Sequence, residues 1–252
     1  MAAQYKEFVS KANIKVIQLN VLSWNNMARR LWISLYLEQK SPDIILLNST
    51  SLVCTPNNKN SLTKIKLPNY KSYSTIQNIQ SGSVILVKKY INHSIIPNLS
   101  PSSITVQIST SIGPVIFFTT YIPPRIKSIN SLDIQNLISK NVPLLMAGDF
   151  NANHPYFGHK NRVINHRGEL LHHICQQYKL DFLGPDFYTF QSGNRKGKPD
   201  LVLGNNLLRI FNKYISQGPH VGSDHVPIQI ELDIKPILIN ANEQNFDYSK
   251  AN

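Results

Sequence analysis

The apolar run Leu144-Leu145-Met146-Ala147 ends on Gly148-Asp149-Phe150-Asn151, and far downstream Ser223-Asp224-His225 stands at the mouth of a second run, Val226 to Leu232. Short apolar runs read as buried strands. A carboxylate and an amide two residues apart after one strand, with an Asp-His pair at the end of another, is a layout suited to metal-assisted phosphodiester chemistry.

Alternation marks Ile14-Lys15-Val16-Ile17-Gln18-Leu19-Asn20 as a strand, and spacing through Leu31, Ile33, Leu35 and Tyr36 predicts a helix over 28–40 that Ser41-Pro42 ends. Asp43 to Leu47 is a run of the kind buried on both faces. Further strands are expected at 70–73, 83–88, 104–109, 115–121, 143–147, 200–203 and 226–232. Helices are expected at 128–140, through Ile129, Leu132, Asn136 and Leu137, and at 168–178, through Leu170, Leu171, Ile174 and Tyr178. The turn Asn165-His166-Arg167-Gly168 introduces the second of these. Strands with intervening helices imply layered α/β structure. The pattern weakens after Ile234, so one domain over 1–234 and a polar tail over 235–252, outside the core, are expected.

A length of 252 residues allows one large domain or two small ones, and 42% apolar content is enough for a buried core. No apolar run approaches the ~18 residues of a membrane span, and the first residues lack the charged-then-apolar pattern of a secretory signal. Cys54 and Cys175 imply no disulfide framework, so a reducing, intracellular compartment is the expectation. A net charge of +12 favours a polyanionic partner such as nucleic acid. No Asp or Glu occurs from Ile44 to Leu132, whereas six of the fourteen acids fall between Asp149 and Asp224. Carboxylates are thus concentrated where chemistry needs them, although a basic, Asn- and Ile-rich composition is also what coding bias produces.

Asn20 after a first strand, Tyr121 in Thr120-Tyr121-Ile122-Pro123-Pro124, Gly148-Asp149-Phe150-Asn151, Asp200 opening a late strand, and Ser223-Asp224-His225 together resemble the endonuclease/exonuclease/phosphatase superfamily, which includes DNase I and the apurinic endonucleases. Within it, Asn165 to Leu171, Tyr188-Thr189-Phe190 and Arg195 to Asp200 are most similar to the endonuclease domain of non-LTR retrotransposons of arthropod, jockey-like type. The stretch Asn245 to Asn252 is similar to the start of the linker that leads to reverse transcriptase in such polyproteins.

The resemblance implies a four-layered α/β sandwich, two packed mixed β-sheets flanked by helices, with the site at one rim. It implies that Asp149 orients or deprotonates the attacking water, or protonates the leaving oxygen, and that Asn151 holds the water or a phosphate oxygen. If the backbone stays extended, i and i+2 put both on one side. His225 would stabilise charge on the phosphate, its other nitrogen held by Asp200. Tyr121 would contact the scissile phosphate. Asp224 would bind Mg²⁺, or Mn²⁺ in its place, with Asn20 near the same ion. Thr189 would offer a hydroxyl to the DNA or the site, and Ser223 would belong to the DNA-binding set. Other roles stay open: Asp149 as a loop cap, Asn20 as a turn residue, Tyr121 as a packed aromatic, Asp200 and His225 as surface groups.

One position departs from the family. Where a Glu that serves as the principal metal ligand follows the second family strand, this chain reads Leu47-Asn48-Ser49-Thr50, with Ser49 in the Glu place. A neutral hydroxyl is a poor ligand for a hard cation. Downstream, Gln191 to Lys198 carries Asn194, Arg195, Lys196 and Lys198 in a glycine-containing turn, which reads either as a hairpin that tracks phosphates and helps choose the target, or as a solvated turn. His154, His159, His166, His172 and His173 cluster near Cys175 without a structural-zinc spacing, and read as a solvated or DNA-facing group.

Three function classes follow. The leading expectation is a Mg²⁺-dependent endonuclease that nicks double-stranded DNA, in the nucleus, for retrotransposon integration by target-primed reverse transcription, covalently linked to a reverse transcriptase. The second is a noncatalytic DNA-binding module, motivated by Ser49. The third is a phosphoesterase of small or lipid substrates.

Overall fold

The computed structural model describes residues 6–51, 65–75, 82–97, 102–126, 129, 131–159 and 163–240; Cys54 and the linker-like stretch Asn245 to Asn252 lie outside them. In chain order the elements are β1 (Lys6–Val9), β2 (Ile14–Asn20), α1 (Met27–Lys40), β3 (Ile44–Asn48), β4 (Tyr70–Ser74), β5 (Val84–Lys88), β6 (His93–Ile96), β7 (Ser103–Thr110) and β8 (Gly113–Thr120). There follow α2 (Ser131–Ile138), β9 (Leu144–Asp149), α3 (His166–Tyr178), β10 (Leu180–Gly184), β11 (Phe190–Ser192), β12 (Arg195–Gly197), β13 (Asp200–Asn205), α4 (Asn206–Arg209), β14 (Asn212–Gln217), β15 (Ile228–Leu232) and β16 (Ile237–Asn240).

Two six-stranded sheets run β14-β15-β2-β3-β5-β4 and β10-β13-β9-β8-β7-β6. Each is mixed, with one parallel pair, β2 with β3 and β8 with β9. Side chains alternate faces along a strand, and that alternation builds the layers. Val16, Ile44, Leu46, Ile85 and Val87 of the first sheet meet Val106, Val115, Phe117, Leu145, Ala147 and Val202 of the second in one buried cluster. The opposite faces are covered from outside. Ile17, Leu19, Ile45 and Leu47 pack with Ile33, Tyr36 and Leu37 of α1, while Phe118, Met146, Leu201 and Leu203 pack with Ile134 and Leu137 of α2 and Leu171, Ile174 and Cys175 of α3. The expected four-layered sandwich is the fold observed.

Two stripes turn out differently from the sequence reading. On α1 the buried face is Ile33, Tyr36 and Leu37, whereas Leu31 and Leu35 are exposed. On α2 it is Asp133, Ile134 and Leu137, and Leu132 points outward. On α1 the buried set is i, i+3, i+4, and on α2 it is the 133–137 and 134–137 pairs, because a helix laid on a sheet covers it with one narrow face. Asn26 and Asn165 cap α1 and α3 by accepting from Arg29 N and Gly168 N, so α3 starts ahead of the expected Gly168. The chain beyond 234 also departs from expectation: β16 pairs antiparallel with β1, and Leu238 packs on the inter-sheet core. Four apolar-leaning residues with a partner at the other end of the chain leave little local signal.

Gly148 carries a steric requirement, since a Cβ added there would come 2.3 Å from the Thr120 carbonyl oxygen at the end of β8. Gly148→Ala should destabilise the chain by about 1–3 kcal/mol, read as a lower urea midpoint; a midpoint equal to the parent's would show that β8 and β9 separate freely.

Candidate active site

Along the strands that form the seam between the sheets, the inward positions turn polar at one end. Ile14 and Val16 are followed on the same face by Gln18 and Asn20, Ile44 and Leu46 by Asn48, Phe117 by Thr119, and Leu145 and Ala147 by Asp149. On β13 the order reverses with strand direction: Asp200 opens the strand ahead of Val202 and stands in register with Asp149. The site is thus the last layer of the inter-sheet core, with side chains that are polar instead of apolar.

Burial obliges these groups to find partners. Asp149 accepts from Asn20 Nδ2 at 2.7 Å and from its neighbour's backbone, Asn151 N, at 3.1 Å. Asp200 Oδ2 lies 2.6 Å from His225 Nδ1, and Asp200 Oδ1 accepts from Gln18 Nε2 at 2.9 Å. The same Gln18 nitrogen reaches Asn48 Oδ1 at 3.0 Å, and Asn48 Nδ2 donates to Ser83 Oγ, Thr119 Oγ1 and the Thr120 carbonyl. Gln18 and Asn48 were not singled out in the sequence; their signal was inward parity next to the Asn20 strand end.

Tyr121 bridges to Asp149 along the backbone, and burial followed by the Asp149 charge pushes its hydroxyl's pKa up, with Ser49 acting in the opposite direction. Ser49 is buried in a left-handed conformation, φ 53°, with its carbonyl accepting from Ser23 N at 2.7 Å. Asp224 is partly exposed, its Oδ1 3.9 Å from His225 Nε2. Asn151 departs from the extended backbone on which a shared side with Asp149 depended: its φ is 48°, and its Nδ2 donates to the Ile122 carbonyl at 3.1 Å.

Three residues assigned to DNA contact are buried. Ser223 Oγ donates to the Asn20 carbonyl at 2.7 Å and accepts from His225 N at 3.2 Å, so it ties the Asp224 loop to the end of β2. Thr189 has no exposed surface and its hydroxyl faces Asp200 N at 3.4 Å, which puts it on the site and not on the DNA side. Lys198 is 9% exposed and donates to the Asp186 carbonyl. Asn194, Arg195 and Lys196 are exposed on the β11–β12 hairpin. Its base is fastened to the site by the Phe190–His225 bridge and by Gln191 N donating to the Asp224 carbonyl.

Electrostatics follow from depth. Burial pushes the Asp149 carboxyl up to about 7, Asp200 adding to it, against the pull of His225, Asn20 and Asn151. For His225 burial acts downward, but the charge and hydrogen bond of Asp200, with Asp149 and Asp224 behind it, carry the imidazole to about 9. Asp149, Asp200 and His225 each offer an atom within 4.8 Å of the others, the one such group with metal-site spacing among the described residues. The histidine-rich segment is built otherwise: His154 stacks on His172 with ring centroids 4.1 Å apart, and His159 is buried instead of solvated.

In the parent chain the His225 imidazole should titrate near 9, and Asp200→Asn should bring it toward or below the ordinary ~6.5, where burial acts with less opposition. Imidazole NMR against pH reads this directly. A midpoint unchanged in Asp200→Asn would assign the stabilising charge to Asp149 and Asp224 instead.

Residues 115–229 match a family model described as endonuclease-reverse transcriptase. The chain is 26% identical over 186 residues, 69% of its length, to an RNA-directed DNA polymerase from the mobile element jockey of Drosophila funebris. It is 28% identical over 162 residues, 62% of its length, to a probable RNA-directed DNA polymerase from the transposon X-element of Drosophila melanogaster. It spans about a fifth of these relatives, 20% and 18%. Among solved structures, the endonuclease domain of TRAS1, a telomere-specific non-LTR retrotransposon, aligns with a TM-score of 0.71 at 16% identity, over 87% of this chain and 98% of that one. The AP endonuclease LMAP from Leishmania major aligns with a TM-score of 0.69 at 16% identity, over 87% of both chains. The chain therefore has a DNase I-like sandwich fold, similar in sequence to the jockey and X-element RNA-directed DNA polymerases and in fold to the endonuclease domain of the non-LTR retrotransposon TRAS1.

Proposed function

We propose that this chain is a divalent-metal-dependent endonuclease that nicks double-stranded DNA, and that it serves as the nicking part of a longer polyprotein with a linked reverse transcriptase, acting in the nucleus. The observation carrying this reading is the buried Asp149, Asp200 and His225 group at the rim of a nuclease-type fold.

Mg²⁺, or Mn²⁺ in its place, fits the outer edge of the site. Asp224 is partly exposed, and Ser223, its neighbour in sequence, donates to the Asn20 carbonyl. Asn20 Oδ1 accepts from Leu22 N and retains a second lone pair. Ser49 brings only a hydroxyl, a poor ligand for a hard cation. Mg²⁺ takes one or two carboxylates together with waters and substrate phosphates, so Asp224 and Asn20 would hold it together with a phosphate of the DNA. When bound, the ion neutralises charge on the phosphoryl oxygens.

The remaining roles belong to side chains. Asp149, ionised above about 7, accepts a proton from the water whose oxygen attacks phosphorus. His225, protonated and held at Nδ1 by Asp200, offers Nε2–H to a non-bridging phosphoryl oxygen. Tyr121, fixed beside Asp149, presents its hydroxyl to the same phosphate. Priming a polymerase requires a free 3′ hydroxyl, so the P–O3′ bond breaks, O3′ takes a proton from solvent, and a 5′ phosphate remains. Asn194, Arg195 and Lys196 on the hairpin meet the flanking backbone of the duplex.

A noncatalytic DNA-binding module is the second reading, favoured by Ser49 alone. Supercoiled-plasmid nicking separates the two. Asp149→Ala and His225→Ala should each lower the rate by about 10²–10⁴-fold, and Ser49→Glu should lower the metal concentration needed. A parent that binds the plasmid without nicking it at any Mg²⁺ or Mn²⁺ concentration would establish the second reading.

A further inference from the structure

The motif Asn165-His166-Arg167-Gly168 has no part in the chemistry above, yet it grips the turn that carries Asn151. Asn165 Nδ2 and Arg167 Nε both donate to the Asn151 carbonyl, at 2.8 and 3.0 Å. Asn165 Oδ1 meanwhile accepts from Gly168 N and from Asn153 N, at 2.7 and 3.0 Å, so one amide caps α3 and fastens the 151–153 turn to it. Gly168 is pressed against that turn: an added Cβ would come 2.0 Å from the Asn153 carbonyl oxygen.

Arg167 extends the grip to a second loop. Its Nη1 donates to the carbonyls of Pro124 at 2.6 Å and Ile126 at 3.1 Å, a few residues past Tyr121. Asn151 closes the circle by donating its Nδ2 to Ile122 in the same loop. The planar guanidinium, with donors in fixed directions, suits the task of holding carbonyls from two segments in one geometry. Asn151 stands in the left-handed region, φ 48°, and shares its backbone N–H between Asp149 Oδ1 at 3.1 Å and the Pro199 carbonyl at 3.3 Å. An L residue holds such a conformation where its surroundings over-determine it, and here two side-chain donors on one carbonyl do so.

We infer that Asn165 and Arg167 form a positioning clamp that sets Asn151, and through it Asp149 and the Tyr121 loop, in reacting geometry. The clamp rests on the nuclease reading for its consequence but not for its existence. It acts on turnover and not on DNA affinity, because the groups it orders are those that handle water and the scissile phosphate.

The test uses the full chain with Arg167→Gln and Asn165→Ser, the latter keeping a helix-capping oxygen while removing the donor to Asn151. Nicking should show kcat lowered about 10–100-fold with KM within about twofold of the parent, the scale expected for misplacement of catalytic groups. Arg167→Lys, with a point charge in place of the fork, should recover part of that loss. The backbone amide resonance of Asn151 should shift in both variants, while those of β4, at the far edge of the other sheet, stay put. A raised KM with unchanged kcat would make Arg167 a phosphate contact and overturn the clamp. So would an unmoved Asn151 resonance. If the parent chain does not nick at all, the nuclease reading fails by itself, and the resonance decides the clamp.

Discussion

The seam between the two sheets governs everything at the rim. Its apolar positions, from Ile14 and Ile44 through Phe117, Leu145 and Val202, are almost without solvent exposure and interlock across the gap. Because side chains strictly alternate, continuing the same face by one or two residues places Gln18, Asn20, Asn48, Thr119, Asp149 and Asp200 opposite one another. The site is therefore positioned by core packing, and it inherits the rigidity of that packing. A loop-borne site would have to find the same geometry against conformational entropy.

Depth also sets the chemistry. Two carboxylates in register, Asp149 and Asp200, are unfavourable neighbours in a buried place. The arrangement answers with one cation, His225, and neutral donors from Gln18, Asn20 and the Asn151 backbone. Removing one partner of a buried pair of this type costs about 3–5 kcal/mol, which makes Asp200 and His225 structural as well as chemical. The two carboxylates end in different conditions: Asp200 bonded to an imidazolium, Asp149 raised toward neutrality.

Much of this was legible in the sequence. The central strands could be read because they are buried on both faces, as in Ile44–Asn48 and Leu144–Asp149. Edge strands β6, β10 and β14 escaped, since half-exposed residues such as His93–Ile96 and Asn212–Gln217 carry weak alternation. The α1 stripe was misjudged because Leu31 and Leu35 are apolar yet exposed. At the site, Asp149, Asp200, Asn20 and His225 were nameable from motifs and do come together. Gln18 and Asn48 were not, because an amide inside a strand looks like an outward polar residue until the face it lies on is known. Lys198, read as a DNA contact, is buried for the converse reason: residue type suggests exposure, and the base of the hairpin folds inward, which leaves Thr189, of its two alternatives, with the site.

Hydrolysis by this group requires Asp149 ionised and His225 protonated at once. The direct measurement is the single-turnover rate of DNA nicking against pH under saturating metal. The rate should rise through about 7 and fall through about 9, the two limbs belonging to the interacting group as a whole. A rate independent of pH across that window, or one that rises through it without falling, would contradict a reaction carried by Asp149 and His225.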